Sequence, residues 1–156
     1  MKYIFTSLFF IFICLNKTLA CPNLAAKAED ILKVPADVLE GNGLVKKVYA
    51  KNEFNIMQCN TAKAQLWDMY GDIYFPKTPS IQIDTSYLGG YYLTFESNAN
   101  CESFLLVVGP SGGGSTIGTK DITASFSNPQ DGMYSIWAGT KGTKDCEISI
   151  TTKASF

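Results

Sequence analysis

The chain contains no histidine and no arginine, and all 13 of its basic residues are lysine. Without an imidazole, Ser-His-Asp and Cys-His arrangements, His-ligated zinc and imidazole proton shuttles are excluded. Without a guanidinium, the bidentate fork that phosphate and carboxylate sites favour is missing. The lysines are offset by 14 Asp plus Glu, for a formal net charge of -1, so there is no basic excess to attract nucleic acid. After the first 20 residues no second long apolar run follows, and no membrane span is expected there. A length of 156 residues leaves room for one domain, spanning residues 21–156 once the leader is removed.

What is present begins with an export signal. Lys2 is the lone early charge, an apolar run extends from Tyr3 to Leu15, and the segment ends at Thr18-Leu19-Ala20. Residues 1–20 therefore read as a secretory signal peptide, with an apolar core well short of the roughly 20 residues a bilayer-spanning helix needs. Cleavage after Ala20 leaves Cys21 first. A lipoprotein anchored at Cys21 is the minority alternative, because Thr18 stands where a lipobox prefers an aliphatic residue. The expected location is secreted, periplasmic or extracellular.

Four cysteines remain in the mature chain, Cys21, Cys59, Cys101 and Cys146. An even number in an oxidising compartment predicts two disulfides. Gaps of 38, 42 and 45 residues, with no C-x2-C pair, do not fit a metal site. Three pairings are open. We expect Cys21 with Cys59 and Cys101 with Cys146, since each pair ties one half of the chain. The sequon at Asn16 falls inside the signal, so no mature N-glycan acceptor is expected.

The pattern after the signal predicts an all-β protein with a short N-terminal helix. Residues 24–32 are rich in helix formers and place Leu24, Ala28, Ile31 and Leu32 on one side. Pro35 and Gly41-Asn42-Gly43 stop any continuation. β signals follow at residues 45–49 and 54–59, while residues 61–67 are ambiguous between a turn of helix and a strand. Later the period is two. Ile81, Ile83 and Thr85 alternate with polar residues, and Tyr91, Leu93 and Phe95 point opposite to Tyr92, Thr94 and Glu96. Residues 104–108 are uninterruptedly apolar and read as a central strand covered on both faces. Gly109-Pro110 and Gly112-Gly113-Gly114 end it in a loop. Residues 122–126, 133–138 and 146–151 complete the set, with turns at residues 128–132 and 139–142. Such spacing predicts a single antiparallel, jelly-roll-like β-sandwich.

The stretch Phe126-Ser127-Asn128-Pro129-Gln130-Asp131-Gly132-Met133-Tyr134-Ser135-Ile136-Trp137-Ala138-Gly139-Thr140 resembles the C-terminal half of bacterial secreted pre-peptidase C-terminal (PPC) β-sandwich modules. With the earlier apolar strand and the closing strand, the resemblance covers roughly residues 78–152. Residues 21–77 have no counterpart. The resemblance implies a module of the cell exterior that is not itself catalytic. Relatives often carry a calcium-binding acidic loop after the apolar strand. Here that loop runs from Gly112 to Thr119 with Asp121 alone beyond it, so calcium is disfavoured and no cofactor is expected.

Carboxylates are the one acid–base resource left. Asp68 and Asp72 flank aromatics in Trp67-Asp68-Met69-Tyr70-Gly71-Asp72, as in a sugar cleft, yet carboxylates four apart equally suit a solvated turn. Gly112–Gly114 lacks the Gly-Lys-Ser/Thr of a phosphate cradle. Cysteine nucleophiles would need a depressed pKa and a reducing compartment. No catalytic residue is therefore assigned. Aromatics carry the functional reading: Tyr87-Leu88-Gly89-Gly90-Tyr91-Tyr92 forms a turn entering a strand, and exposed Tyr and Trp suit protein or sugar partners. Tyr92, Trp137 and Trp67 are the candidate ligand-facing residues. The expected function is a secreted, non-catalytic module that binds a protein or glycan. The alternatives are a small extracellular hydrolase using Asp68 or Asp72, and an exported inhibitor or effector acting on a host protein.

Overall fold

The computed structural model describes residues 21–59, 71–112, 122–142 and 145–156. The signal segment, the ambiguous stretch at 61–67, Trp67, Asp68 and most of the glycine-rich loop lie outside the described residues.

Strands β1 (Ile31–Pro35), β2 (Leu44–Ala50), β3 (Phe54–Asn55), β4 (Ile73–Phe75), β5 (Ile81–Ser86), β6 (Tyr92–Ala99), β7 (Ser103–Val108), β8 (Ile122–Ser127), β9 (Gly132–Lys141) and β10 (Cys146–Ser155) build two sheets. One has the order β1-β5-β9-β4-β3, with β7 added to β9; the other has the order β2-β10-β6-β8. Ile136 of β9 is opposite both Ile81 and Val107, and Thr140 is opposite both Tyr74 and Ser103. β5 and β4 therefore follow one another along one edge of β9, and β7 occupies the other.

The two sheets pack face to face as a sandwich. Ile81, Ile83, Leu105, Val107, Tyr134, Ile136 and Ala138 from the first sheet meet Val48, Leu93, Phe95, Ala124, Ile148 and Ile150 from the second. Period-two alternation produces this core directly, because every second residue of a strand faces the opposing sheet. The first sheet also has a cover on its outer side, where Phe54, Ile56, Cys59, Ile73, Phe75, Phe104 and Trp137 form a second buried cluster. Two covered faces explain the apolar run of β7 and the seven consecutive buried residues of β9.

Several expectations change. Residues 24–30 form no helix, and Ile31 and Leu32 belong to β1, which runs parallel to β5. A nine-residue helix gains little by itself. Here the segment is held by tertiary hydrogen bonds: the Ala28 N–H donates to the buried Gln82 Oε1 at 2.9 Å, and the Gln82 N–H donates to the Asp30 carbonyl at 3.0 Å. The short helix, α1 (Ala36–Leu39), comes after Pro35 instead. Residues 54–59 are only briefly strand before a 3-10 turn at Ile56–Gln58. β7 is covered on both faces as expected, but among the described residues it pairs with β9 alone and so is an edge rather than a central strand. β9 continues through Gly139, where a turn was expected. A Cβ there would lie 2.6 Å from the Tyr74 carbonyl oxygen and 2.7 Å from the Phe75 ring, so the close approach of β4 requires glycine.

Both expected disulfides form. Cys21–Cys59 joins the segment before β1 to the 3-10 turn, with Cα atoms 5.3 Å apart. Cys101–Cys146 sits where the chain leaves β6 for the other sheet, with Cα atoms 6.5 Å apart.

Candidate functional site

The first two sequence-predicted ligand residues separate in space. Tyr92 opens β6 and is 52% exposed, on the solvent face of the second sheet. Trp137 is fully buried in the second cluster. Its strand position lies between those of Ile136 and Ala138, and on its own side of the sheet it is packed in the second cluster with Phe54, Ile56, Phe75 and Phe104, so its indole offers no surface to a ligand. Asp72 lies exposed just before β4, and its Oδ1 accepts a hydrogen bond from Asn55 Nδ2 at 2.7 Å. Nothing in this arrangement distinguishes it from a polar turn residue.

Three of the four exposed aromatics among the described residues, Tyr87, Tyr92 and Phe156, gather at one end of the sandwich, where β5 ends, β6 begins, β8 turns into β9 and β10 finishes; the fourth, Tyr49, stands on β2 opposite Glu147. Tyr87 is the most exposed tyrosine among the described residues at 78% and has a left-handed backbone, φ 63°. That conformation costs a bulky residue roughly 1–2 kcal/mol. It is held by a carboxylate from the neighbouring turn: Asp131 accepts the Tyr87 N–H on Oδ2 at 3.1 Å and the Leu88 N–H on Oδ1 at 2.8 Å. Leu88 beside it is completely buried and anchors the turn in the core. The Tyr91 N–H closes the turn onto the Leu88 carbonyl at 3.0 Å. Tyr87 is thus displayed in solvent from a backbone fixed on both sides.

Tyr91 and Phe156 extend the surface. Their ring centroids are 4.1 Å apart, and Phe156 is 81% exposed. The Tyr91 hydroxyl donates to Glu40 Oε1, just after α1. This hydrogen bond, and then burial, holds the Tyr91 phenol above its ordinary pKa, so it stays protonated and donating. Tyr92 lies opposite Ser127 and Ser155 in its sheet, which places its ring next to this end. Val38 of α1 is also exposed.

Elsewhere among the described residues the exposed large apolar side chains, Leu24, Ile31, Val45 and Tyr49, lie apart in sequence. On the outer face of the second sheet, Lys47 Nζ and the Tyr49 hydroxyl donate to the two oxygens of Glu147 at 2.8 and 3.0 Å. The Lys47 hydrogen bond, followed by that of Tyr49, keeps the Glu147 carboxyl below its ordinary pKa. A groove of about 250 Å³ beside them is lined by Asp30, Val48, Tyr49, Lys51 and Pro79 among others. Among the described residues, no group of three or more His, Cys, Asp or Glu side chains is placed to hold a metal ion, and no helix is long and apolar enough to cross a membrane.

Sequence reasoning singled out the 87–92 turn as a cluster but missed Phe156, Glu40 and Asp131. Asp131 stands 43 residues from Leu88 in the chain, and no local pattern signals that pairing. The exposed turn with its Asp-Gly sequence at residues 131–132 was the only available hint.

These features define a class, a disulfide-bonded β-sandwich that presents an aromatic end. No protein-family model matches the chain, and no curated protein matches it. Among solved structures it is similar to that of Aeromonas hydrophila PliG, described as a periplasmic lysozyme inhibitor of g-type lysozyme. The TM-score is 0.42 at 12% sequence identity, covering 81% of this chain and 98% of that one.

Proposed function

We propose that this chain is an exported, non-catalytic protein that binds another protein through the end formed by Tyr87, Tyr91, Tyr92 and Phe156. The observation that carries the reading is Tyr87. An aromatic ring 78% exposed, on a backbone held in a left-handed conformation by Asp131 and Leu88, contributes nothing to the core and costs stability. Rigid aromatic anchors of this kind supply large contact area at low entropic cost and dominate protein interfaces. Projecting rings suit a partner that provides the concavity, whereas a small ligand needs a cleft on the binder. Two disulfides and a preceding segment that reads as a signal peptide support an extracytoplasmic setting. The resemblance of residues 78–152 to PPC-type modules belongs to the same proposal, as does an inhibitory outcome when the bound surface is a partner's working site.

Photo-crosslinking tests this. With p-benzoylphenylalanine in place of Tyr87 or Tyr92, irradiation in the protein's native secretions is expected to give a covalent adduct with one protein species. The same probe at Lys77, an exposed residue away from this end, is expected to give none. Adducts at Lys77 with none at Tyr87 and Tyr92 would remove the assignment.

A further inference from the structure

Among the described residues the aromatic end carries charge of one sign. Its described segments, residues 36–42, 86–92, 109–112, 126–132 and 155–156, contain Asp37, Glu40 and Asp131 and not one lysine, although the chain has 13. Among the described residues the ion pairs are Lys46–Asp30, Lys47–Glu147, Lys141–Glu102 and Lys153–Glu96. All four lie outside these segments, and none involves Asp37, Glu40 or Asp131. The donors that these three carboxylates do accept from are neutral: the Val38 N–H for Asp37, the Tyr91 hydroxyl for Glu40, and the Tyr87 and Leu88 N–H groups for Asp131. Such bonds orient a carboxylate without cancelling its charge. Elsewhere four carboxylates are ion-paired, while Glu53, Asp72 and Asp145 also accept from neutral donors; what sets this end apart is that Glu40 stands at the Tyr91 hydroxyl and Asp131 on the Tyr87 backbone in segments without a lysine.

Resting on the protein-binding reading above, we infer that the partner surface this end accepts is cationic, with lysine or arginine side chains seated over the rings of Tyr87 and Tyr92 and paired with Asp37 and Glu40. Tyrosine faces attract cations through the ring quadrupole. Adjacent carboxylates add Coulomb attraction that speeds encounter and falls with ionic strength. An anionic partner would meet uncompensated like charge at its contact. A neutral one would gain from the rings but nothing from the carboxylates.

A phage-displayed library of random 12-residue peptides is the probe. It is panned on the disulfide-intact chain and counter-selected on a Tyr87→Gly/Tyr92→Ser variant, which leaves the core untouched and places glycine at the left-handed position. Clones that discriminate between the two are expected to be enriched in Lys and Arg. Their synthetic peptides are expected to bind at least tenfold more weakly at 300 mM than at 20 mM NaCl, and about fivefold more weakly to an Asp37→Asn/Glu40→Gln variant at low salt. Discriminating clones that are neutral or acidic, or whose binding ignores salt and the carboxylate variant, overturn the cationic partner while leaving the aromatic docking site standing. If no clone discriminates between the wild type and the tyrosine variant, the docking site itself falls, and this inference with it.

Discussion

At Tyr87 the chain keeps an aromatic residue where glycine would be less strained. Replacing it with glycine removes the roughly 1–2 kcal/mol left-handed penalty and returns part of that as unfolded-chain entropy. The Tyr87→Gly protein is therefore expected to melt at the same temperature as the wild type or slightly above it, while partner binding falls at least tenfold. A melting point lowered by more than about 5 °C, roughly 1–2 kcal/mol at this size, would show that the ring is structural. Asp131→Ala tests the other half of the device. Two backbone N–H groups lose a charged acceptor, at a cost of about 1–3 kcal/mol, and hydrogen exchange at the Tyr87 and Leu88 amides should accelerate ahead of that in the sheets. Gly139→Ala has the opposite logic, because its Cβ would meet the Tyr74 carbonyl at 2.6 Å. Backbone cannot yield as a side chain does, and a loss of roughly 1–3 kcal/mol in urea unfolding is expected. Glu147 supplies the residue-level pH dependence. Its carboxyl is held below the ordinary pKa by Lys47 and Tyr49, so the folded state binds the proton less readily than the unfolded chain. The stabilisation is present above the ordinary carboxylate range and disappears as pH falls through the lowered folded value. In acid titration of the melting point, Glu147→Gln should remove that increment, and high salt should shrink it.

Between elements, the crossing points are stapled. Cys101–Cys146 closes a loop with a sequence separation of 45, and Cys21–Cys59 one of 38. By chain entropy each restricts the unfolded state by up to about 4 kcal/mol, and losses of 2–4 kcal/mol are typical. The Cys101→Ala/Cys146→Ala protein should show a matching drop in its urea midpoint, with both sheets melting together because Cys101 lies in the connection from β6 of one sheet to β7 of the other. Elements also show where local reading succeeds. β6, β8 and β10 were legible because each buries one face, and one face buried writes a period of two into the sequence; β5 keeps that period because the residue buried on its other face, Gln82, is polar. β1 was not legible. Its residues favour helix, and what makes them strand is a ladder to β5 and a buried glutamine far along the chain. Trp137 was misplaced for a related reason: alternation tells which side of the strand it leaves, but not that a second buried cluster with Phe54, Ile56 and Phe75 forms on that side. Of the aromatic end, the tyrosines of the 87–92 turn could be seen, while Glu40, Asp131 and Phe156 join them only through folding.

For the molecule as a whole, pairing is long-range. β2 lies beside β10, where Lys47 and Glu147 meet 100 residues apart in the chain. Such topology pays loop-closure entropy before contacts reward it, so the disulfide-intact protein is expected to refold in milliseconds to seconds by stopped-flow fluorescence of its tryptophans, far slower than helical domains of similar size.

The sequence alone determined the chemistry and the local period. A chain without imidazole or guanidinium is barred from whole classes of site whatever its fold, four cysteines in the mature chain allow two bridges, and alternation makes strands with one buried face. Those properties belong to single residues and their near neighbours. Only the tertiary structure decided that β1 runs parallel to β5, that the outer face of the first sheet is a second core, and that Tyr87, Tyr91, Tyr92 and Phe156 meet three uncompensated carboxylates at one end. Each depends on which distant segment covers or faces another, and that is set by the burial of the whole chain rather than by any stretch of it.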